Sequence, residues 1–428
     1  MYLTKLLPLL TSISLFLLPL ASSNPLSPRA SWPYAPLTTS GRWILDSAGH
    51  NITYAGVNWP GAADTMIPEG LQYASIANIV TKIKSLGMNV IRLTYAIEMV
   101  DDYYSNGQKD VTVKDSLVKA LGQTNGTSVF AQIMKQNPGL GSGVTRMQVF
   151  DAVAAECFKQ QIYVHLDNHV SKAIWCCGTT DGNSWFGDTY FNVANWTRGL
   201  AYMAKRGAAW GNLVSMSLRN ELREPTSNPS LDSSSYNWAT WYTNIVSGMN
   251  AIHNANSIPL IFISGLNYDT DLSPIPNAAV LSPSTSQKFV KSSFAYANKL
   301  VLELHNYATD SGSCSSLQSS LVSAGYSALG RNGAVTNQMP VVLTEWGHAQ
   351  TGSDWGSVYS TCLKSYLGSV KGGWMVWVLA GSYYIRSGTQ DYDESWGLLN
   401  HNWSAWRDQT DVTNSLIPMV SGTKTWSP

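Results

Sequence analysis

The feature that most constrains this chain is a rhythm. Segments with helical period alternate with short apolar or β-branched runs along almost the whole length. Residues 76–86 place Ile76, Ile79, Val80, Ile83 and Leu86 on one helical face, and Gly87 is a stop signal before the run at 89–93. Further helical segments fall at 145–161, 196–210, 236–254, 315–329 and 358–370. They alternate with runs at 162–167, 213–218, 259–264, 301–304, 340–344 and 373–378, and the run at 52–58 at the front makes eight strands. Strands that alternate with helices pair in parallel through right-handed crossovers. Eight such units favour an α/β chain closed as a (β/α)8 TIM barrel over an open doubly wound sheet. Pro259-Leu260-Ile261-Phe262-Ile263 is apolar throughout, as a strand buried on both faces must be. No Gly-x-Gly-x-x-Gly follows the first run, which argues against a dinucleotide-binding fold.

No linker rich in Pro, Ser or Thr interrupts the rhythm, so residues 41–428 are expected to form a single domain behind an N-terminal extension at 24–40. Residues 1–23 have the form of a signal peptide: Lys5, an apolar run at 6–20 broken by Pro8 and Pro19, then Ala21, Ser22 and Ser23. The run is short of the roughly 20 apolar residues that a membrane span needs. The expectation is a secreted, extracellular protein, free of the membrane after cleavage and monomeric. Asn51, Asn125, Asn195 and Asn402 open glycosylation sequons. Among the five cysteines, the odd count leaves at least one free in an oxidising compartment. Cys157, in a helix-like stretch, is expected to be that thiol, and Cys314 with Cys362 is a candidate bridge. Net charge is zero with 13% charged residues, so no basic field is present for nucleic acid. The 17 Trp and 21 Tyr suit either a core or a cleft that packs sugar rings on flat side chains.

Functional side chains of such a barrel sit at the C-terminal ends of its strands. Those ends read Arg92; Asp167-Asn168-His169; Arg219-Asn220-Glu221; His305-Asn306-Tyr307; Glu345-Trp346-Gly347; and, within the last strand, Trp377. Glu221 and Glu345 leave the fourth and seventh strands and can converge over the mouth. Two carboxylates are what glycoside hydrolysis needs, one to protonate the leaving oxygen and one to attack the anomeric carbon or activate water. His165, Asp167 and His169 form a rival constellation, since alternating strand positions could face one side as metal ligands. No second His/Asp cluster completes a ligand set, so no metal or other cofactor is expected. The aromatic, Gly-rich segment from Trp175-Cys176-Cys177 through Trp185-Phe186 is either a wall of the cleft or a structural loop.

Ser217-Leu218-Arg219-Asn220-Glu221 and Val341-Val342-Leu343-Thr344-Glu345-Trp346-Gly347 resemble the two signatures of glycoside hydrolase family 5, the cellulase-type family, and the likeness covers residues 40–400. The resemblance implies Glu221 as acid/base and Glu345 as nucleophile of a retaining enzyme. It also implies Arg92 as support for the nucleophile, Asn220 on the sugar 2-hydroxyl, His169, His305 and Tyr307 around the reacting sugar, and Trp377 as its platform. Trp346 and Trp185 are added as candidate substrate contacts. A negative Glu345 is expected to raise the pKa of Glu221. The implied substrate is a β-1,4-glucan or related β-linked polysaccharide, cut internally. The alternatives are a pocket-type glycosidase that releases a disaccharide such as rutinose from a plant flavonoid glycoside, and a non-catalytic secreted carbohydrate-binding protein.

Overall fold

The computed structural model describes residues 1–2, 31–226, 228, 231, 233–331 and 333–424. Residues 3–23 of the expected signal peptide and residues 24–30 of the expected N-terminal extension lie outside the described residues. Among the described residues the compact unit runs from Trp32 to Lys424. Its centre is a closed barrel of eight parallel strands: β1 (Ala55–Trp59), β2 (Val90–Ala96), β3 (Tyr163–Val170), β4 (Leu213–Ser217), β5 (Leu260–Ile263), β6 (Leu300–Asn306), β7 (Val341–Trp346) and β8 (Gly373–Val376). Each strand pairs with its neighbours in sequence, and β8 closes on β1 through Trp374 opposite Ala55. Every residue in these strands is buried. That is why they read as apolar runs rather than as alternating ones. β1 and β2 approach so closely that a Cβ on Gly56 would lie 2.3 Å from the Val90 carbonyl oxygen.

The N-terminal half of the barrel is packed shut. Tyr54, Val90, Tyr163, Leu260, Phe262, Val301, Val342 and Met375 form its plug together with Leu37 and Ile44. Leu37 precedes, and Ile44 belongs to, a three-stranded antiparallel sheet of Thr38–Ser40, Trp43–Leu45 and Asn51–Ile52. With one end sealed by side chains, only the C-terminal end is free to hold a site.

The outer helices start where the sequence carries caps. The Ser75 hydroxyl accepts from the Asn78 N–H at the head of Ile76–Ser85, and Thr145 with Gln148 forms a capping box before Arg146–Lys159. Three helices escaped the periodicity: Ile97–Ser105, Val113–Leu121 and Gln123–Gln136, inserted between β2 and Arg146–Lys159. The third buries only Gly126 and Ile133, too thin an apolar stripe to register as a pattern. Residues after 400 supply the eighth helix. Gln409–Asp411, Val412–Leu416 and Ile417–Thr423 run on continuously, and the Trp374 Nε1–H of β8 donates to Thr423 Oγ1 at 2.9 Å. A hairpin, Ser382–Arg386 with Thr389–Asp393, stands between β8 and that helix.

Cys314 and Cys362 are bonded, tying Cys314–Ala324 to Val358–Val370, and Cys157 is a buried free thiol. The remaining pair is not among those expected from the sequence: Cys176 is bonded to its neighbour Cys177. Among the described residues no helix is long and apolar enough to cross a membrane.

Candidate active site

The strand ends converge on one buried guanidinium. Arg92, from β2, donates through Nη1 to Glu345 Oε1 at 2.5 Å and to Asn58 Oδ1 at 2.9 Å. Through Nη2 it meets Asn220 Oδ1 at 2.9 Å, Asp167 Oδ1 at 2.9 Å and Glu303 Oε1 at 3.2 Å. Burial works against the charge on Arg92, but Asp167, Glu345 and Glu303 together outweigh it and raise its pKa. Asp167 is the mirror case. Burial would raise its carboxyl, yet Arg92 and His169 hold it down at about 2. Tyr307 donates its hydroxyl to Glu345 Oε2 at 2.9 Å. Its own pKa is pushed well up by burial and by the Glu345 charge, so the phenol stays a donor.

Glu221 is held differently. Its φ is +49°, in the left-handed region that a side chain disfavours. Its backbone N–H donates to Asp269 Oδ2 at 2.8 Å. Asp269 itself ends three successive left-handed non-glycine residues, Asn267, Tyr268 and Asp269, at φ of 53°, 59° and 57°. Glu221 Oε1 meets His305 Nδ1 at 3.0 Å, and the same nitrogen lies 3.7 Å from Glu345 Oε2. An oxygen of each glutamate and that imidazole all fall within 4.8 Å of one another. Burial lowers the His305 pKa to about 4, leaving a neutral ring between the two carboxyls. Burial also raises the Glu221 pKa, against His169, Arg223 and Arg92, with Asp167 adding to the rise. Desolvation, rather than the Glu345 charge expected from the sequence, is the leading cause.

Above the pair lies a cavity of about 230 Å³, open to solvent. His169, Asn220, Glu221, Tyr307, Glu345 and Trp377 line it. The His169 ring lies parallel to Trp377 at 5.6 Å, with Nδ1 on Asp167 Oδ2 at 2.7 Å. Arg92 and His305 sit beneath this wall. Two of the tryptophans singled out in the sequence are not at the cavity. Trp346 follows Glu345 on β7, so its side chain turns to the opposite face of the strand and packs on Trp374 behind the barrel wall. Trp185 is fully buried against Phe186 and Tyr236, and its Nε1–H donates to the Ser235 carbonyl. The lining residues that strand ends did not reveal are Trp175, Cys176 and Cys177 from the loop after β3, and Arg386, Glu394 and Trp396 from the hairpin region. The hairpin had a signal, Ser387-Gly388 between alternating residues; both have positive φ, 49° and 82°. Of the proposed metal set, His165 faces Ser215 Oγ at 2.8 Å and Ser217 Oγ at 2.6 Å, so both ring nitrogens are occupied by hydroxyls.

Residues 45–381 match the model of the cellulase family, glycosyl hydrolase family 5. The chain belongs to that family. Its members are retaining O-glycoside hydrolases. A family 5 protein of Chamaecyparis obtusa is 34% identical over 385 residues, which is 87% of this chain and 64% of that protein's length. The chain thus spans a little under two thirds of this relative. Among solved structures, the catalytic domain of the major endoglucanase of Xanthomonas campestris pv. campestris superposes with a TM-score of 0.64 at 19% identity, over 90% of this chain and all of that one. A Pyrococcus horikoshii endocellulase, solved with cellotetraose, gives 0.66 at 18% identity, over 90% and 98%. At these identities the likeness speaks to the barrel alone.

Proposed function

We propose that this chain is a secreted, endo-acting hydrolase of β-1,4-glucan or a related β-linked polysaccharide, working by double displacement. The observation that carries the reading is the carboxyl pair within 4.8 Å across a cavity walled by tryptophan. Retaining enzymes hold their carboxyl groups about 5–5.5 Å apart, too close to admit a water between them and the sugar. Glu345, gripped by Arg92 and Tyr307, attacks the anomeric carbon. Glu221 gives its proton to the leaving oxygen as the glycosidic bond breaks. The raised pKa keeps that proton available above the ordinary glutamate range. Water then enters, Glu221 takes its proton, and the Glu345 ester is hydrolysed. Asn220 holds the ring hydroxyl next to the anomeric carbon, and Trp377 carries the apolar face of the sugar.

One observation favours a second reading, a pocket-type glycosidase acting on a terminal sugar or disaccharide. Arg386 and Glu394, paired at 2.6 Å, stand in the cavity wall with Trp396. A charged pair beside the ring suits recognition of a chain end better than passage of a chain. Products decide between them: wild type and Glu345→Gln are incubated with soluble β-1,4-glucan, mannan, β-1,3-glucan and flavonoid rutinosides. An oligosaccharide ladder made by wild type alone supports the first reading. A single disaccharide with free aglycone replaces it with the second. Equal turnover by the variant removes the nucleophile assignment. Secretion is tested by finding the N-terminus of the native protein in the medium, near residue 24, with glycan on exposed Asn125 or Asn402.

A further inference from the structure

The Cys176–Cys177 disulfide plays no part in the reaction as written above, yet both residues line the cavity. Their sulfurs lie against a group the reaction needs. Asn220 Nδ2 lies 3.6 Å from Cys176 Sγ and 3.5 Å from Cys177 Sγ. The other end of the same amide is fixed, because Arg92 can only donate and so claims Oδ1. The NH2 group must therefore point up, between the sulfurs and the cavity. Sulfur is a weak acceptor. It orients one hydrogen without competing seriously for the other, which is left for a sugar hydroxyl.

The disulfide is itself held from two sides. On one, Arg386 lies 3.8 Å over the Trp175 ring. On the other, Arg223 donates to the Gly178 carbonyl at 2.9 Å, to Asp181 at 2.6 Å and to the Glu221 carbonyl at 2.8 Å. The loop bearing the disulfide is thus clamped to the backbone of Glu221. An oxygen of the Glu221 carboxyl and both sulfurs lie within 4.8 Å of one another.

We infer that the Cys176–Cys177 disulfide is a specificity-determining part of the active site: it orients the Asn220 amide as a donor and forms a polarisable, apolar wall for the sugar ring that Asn220 binds. Two free thiols would rotate independently, add S–H donors, and leave the amide untethered. The inference rests on the glycosidase reading for its substrate, but its first test does not. Unreduced, denatured protein treated with iodoacetamide should gain one carbamidomethyl group, on Cys157; three groups, with Cys176 and Cys177 among the labelled residues, would overturn it.

The second test is a cycle of Asn220→Ala with Cys176→Ser/Cys177→Ser, read as kcat and KM on cello-oligosaccharides. Asn220→Ala should cost about 100-fold in kcat in the parent and under about tenfold once the disulfide is gone, because the two act as one unit. Undiminished loss in both backgrounds would overturn the inference while leaving the glycosidase reading intact. Absence of turnover in the parent would instead remove that reading, and the thiol count would still stand. A phosphine reductant on the parent controls for misfolding of the serine variant. Its effect should reverse on reoxidation and should be missing in the serine variant, which keeps Cys314–Cys362.

Discussion

The two glutamates are built by opposite means. Glu345 lies within strand β7, and its oxygens are satisfied by Arg92 and Tyr307 from β2 and the end of β6. The pairing of β7 with β6 shifts register between Leu343 and Glu345, but Glu345 itself keeps out of the left-handed region. Glu221 follows β4 in a left-handed conformation, supported by Asp269 from a loop that is itself left-handed at three successive side-chain-bearing residues. Such residues cost about 1–3 kcal/mol each and persist only where the surroundings over-determine them. The contrast matches the proposed tasks. A nucleophile needs a fixed carboxylate and strong donors. An acid that later becomes a base needs a desolvated, less firmly bound carboxyl, and Glu221 has one neutral imidazole where Glu345 has a guanidinium and a phenol.

The largest effects should come from the pair itself, and they should differ in kind. Glu345→Gln is expected to lower kcat by on the order of 10,000-fold for every substrate, because no later step bypasses a missing nucleophile. Glu221→Gln should cost about 100- to 10,000-fold on oligosaccharides but far less on an aryl glycoside whose leaving group needs no proton. Azide should restore turnover to the Glu221 variant and yield a β-glycosyl azide. An α-azide, or equal loss on both substrates, would exchange the roles and break the comparison. In wild type the alkaline limb of kcat/KM should lie above the ordinary glutamate range, since activity needs protonated Glu221 and burial raises its pKa.

This asymmetry also divides what was legible in the sequence. The barrel and Glu345 were readable because a strand buried on both faces has a compositional signature and its C-terminal end has a known use. The support of Glu221 was not. Asp269 is distant in sequence and precedes no glycine that would betray a left-handed turn; the left-handed residues are Asn267, Tyr268 and Asp269 themselves, where only the fold reveals it. The loop after β3 makes the same point with one residue type. Trp175 and Trp185 are ten residues apart in one aromatic segment, and sequence alone cannot say which faces the cavity. Arg386 and Arg223 settle it by clamping the stretch around Trp175 and the disulfide over the site, while Trp185 turns into the core. The eighth helix, at 409–423, is hard to read because Pro418 lies within it and interrupts the helical pattern.

The next effect falls on the strained side. Asp269→Ala removes the acceptor of the Glu221 N–H and should lower kcat about 10- to 100-fold with little change in KM, and stability by about 1–3 kcal/mol. Asp269→Asn keeps an oxygen in place and should retain most of both. The measurement is kcat alongside the unfolding midpoint for the three proteins. If alanine behaves as asparagine does, the left-handed turn at Glu221 needs no support and the contrast between the two glutamates loses its basis.

The smallest expected effect lies beneath Glu345 and is one of stability. Glu303 reaches Arg92 at 3.2 Å and accepts from Ser217 at 2.6 Å and Thr344 at 2.8 Å, yet burial still raises its pKa from 4.5 to about 7. The folded protein therefore binds this proton more tightly than the unfolded chain. The stabilisation is fully present below pH 4.5 and is lost as pH rises through about 7. Asp167, held at about 2, acts in the opposite sense: its contribution is present above pH 3.8 and lost as pH falls through about 2. The two windows do not overlap, so they can be read separately. Glu303→Gln should flatten the fall in unfolding midpoint between pH 4.5 and 7 relative to wild type and leave the acid limb unchanged. An identical slope in both proteins would mean that Glu303 is ionised throughout, and that Arg92 compensates three carboxylates on the Glu345 side as fully as it does one.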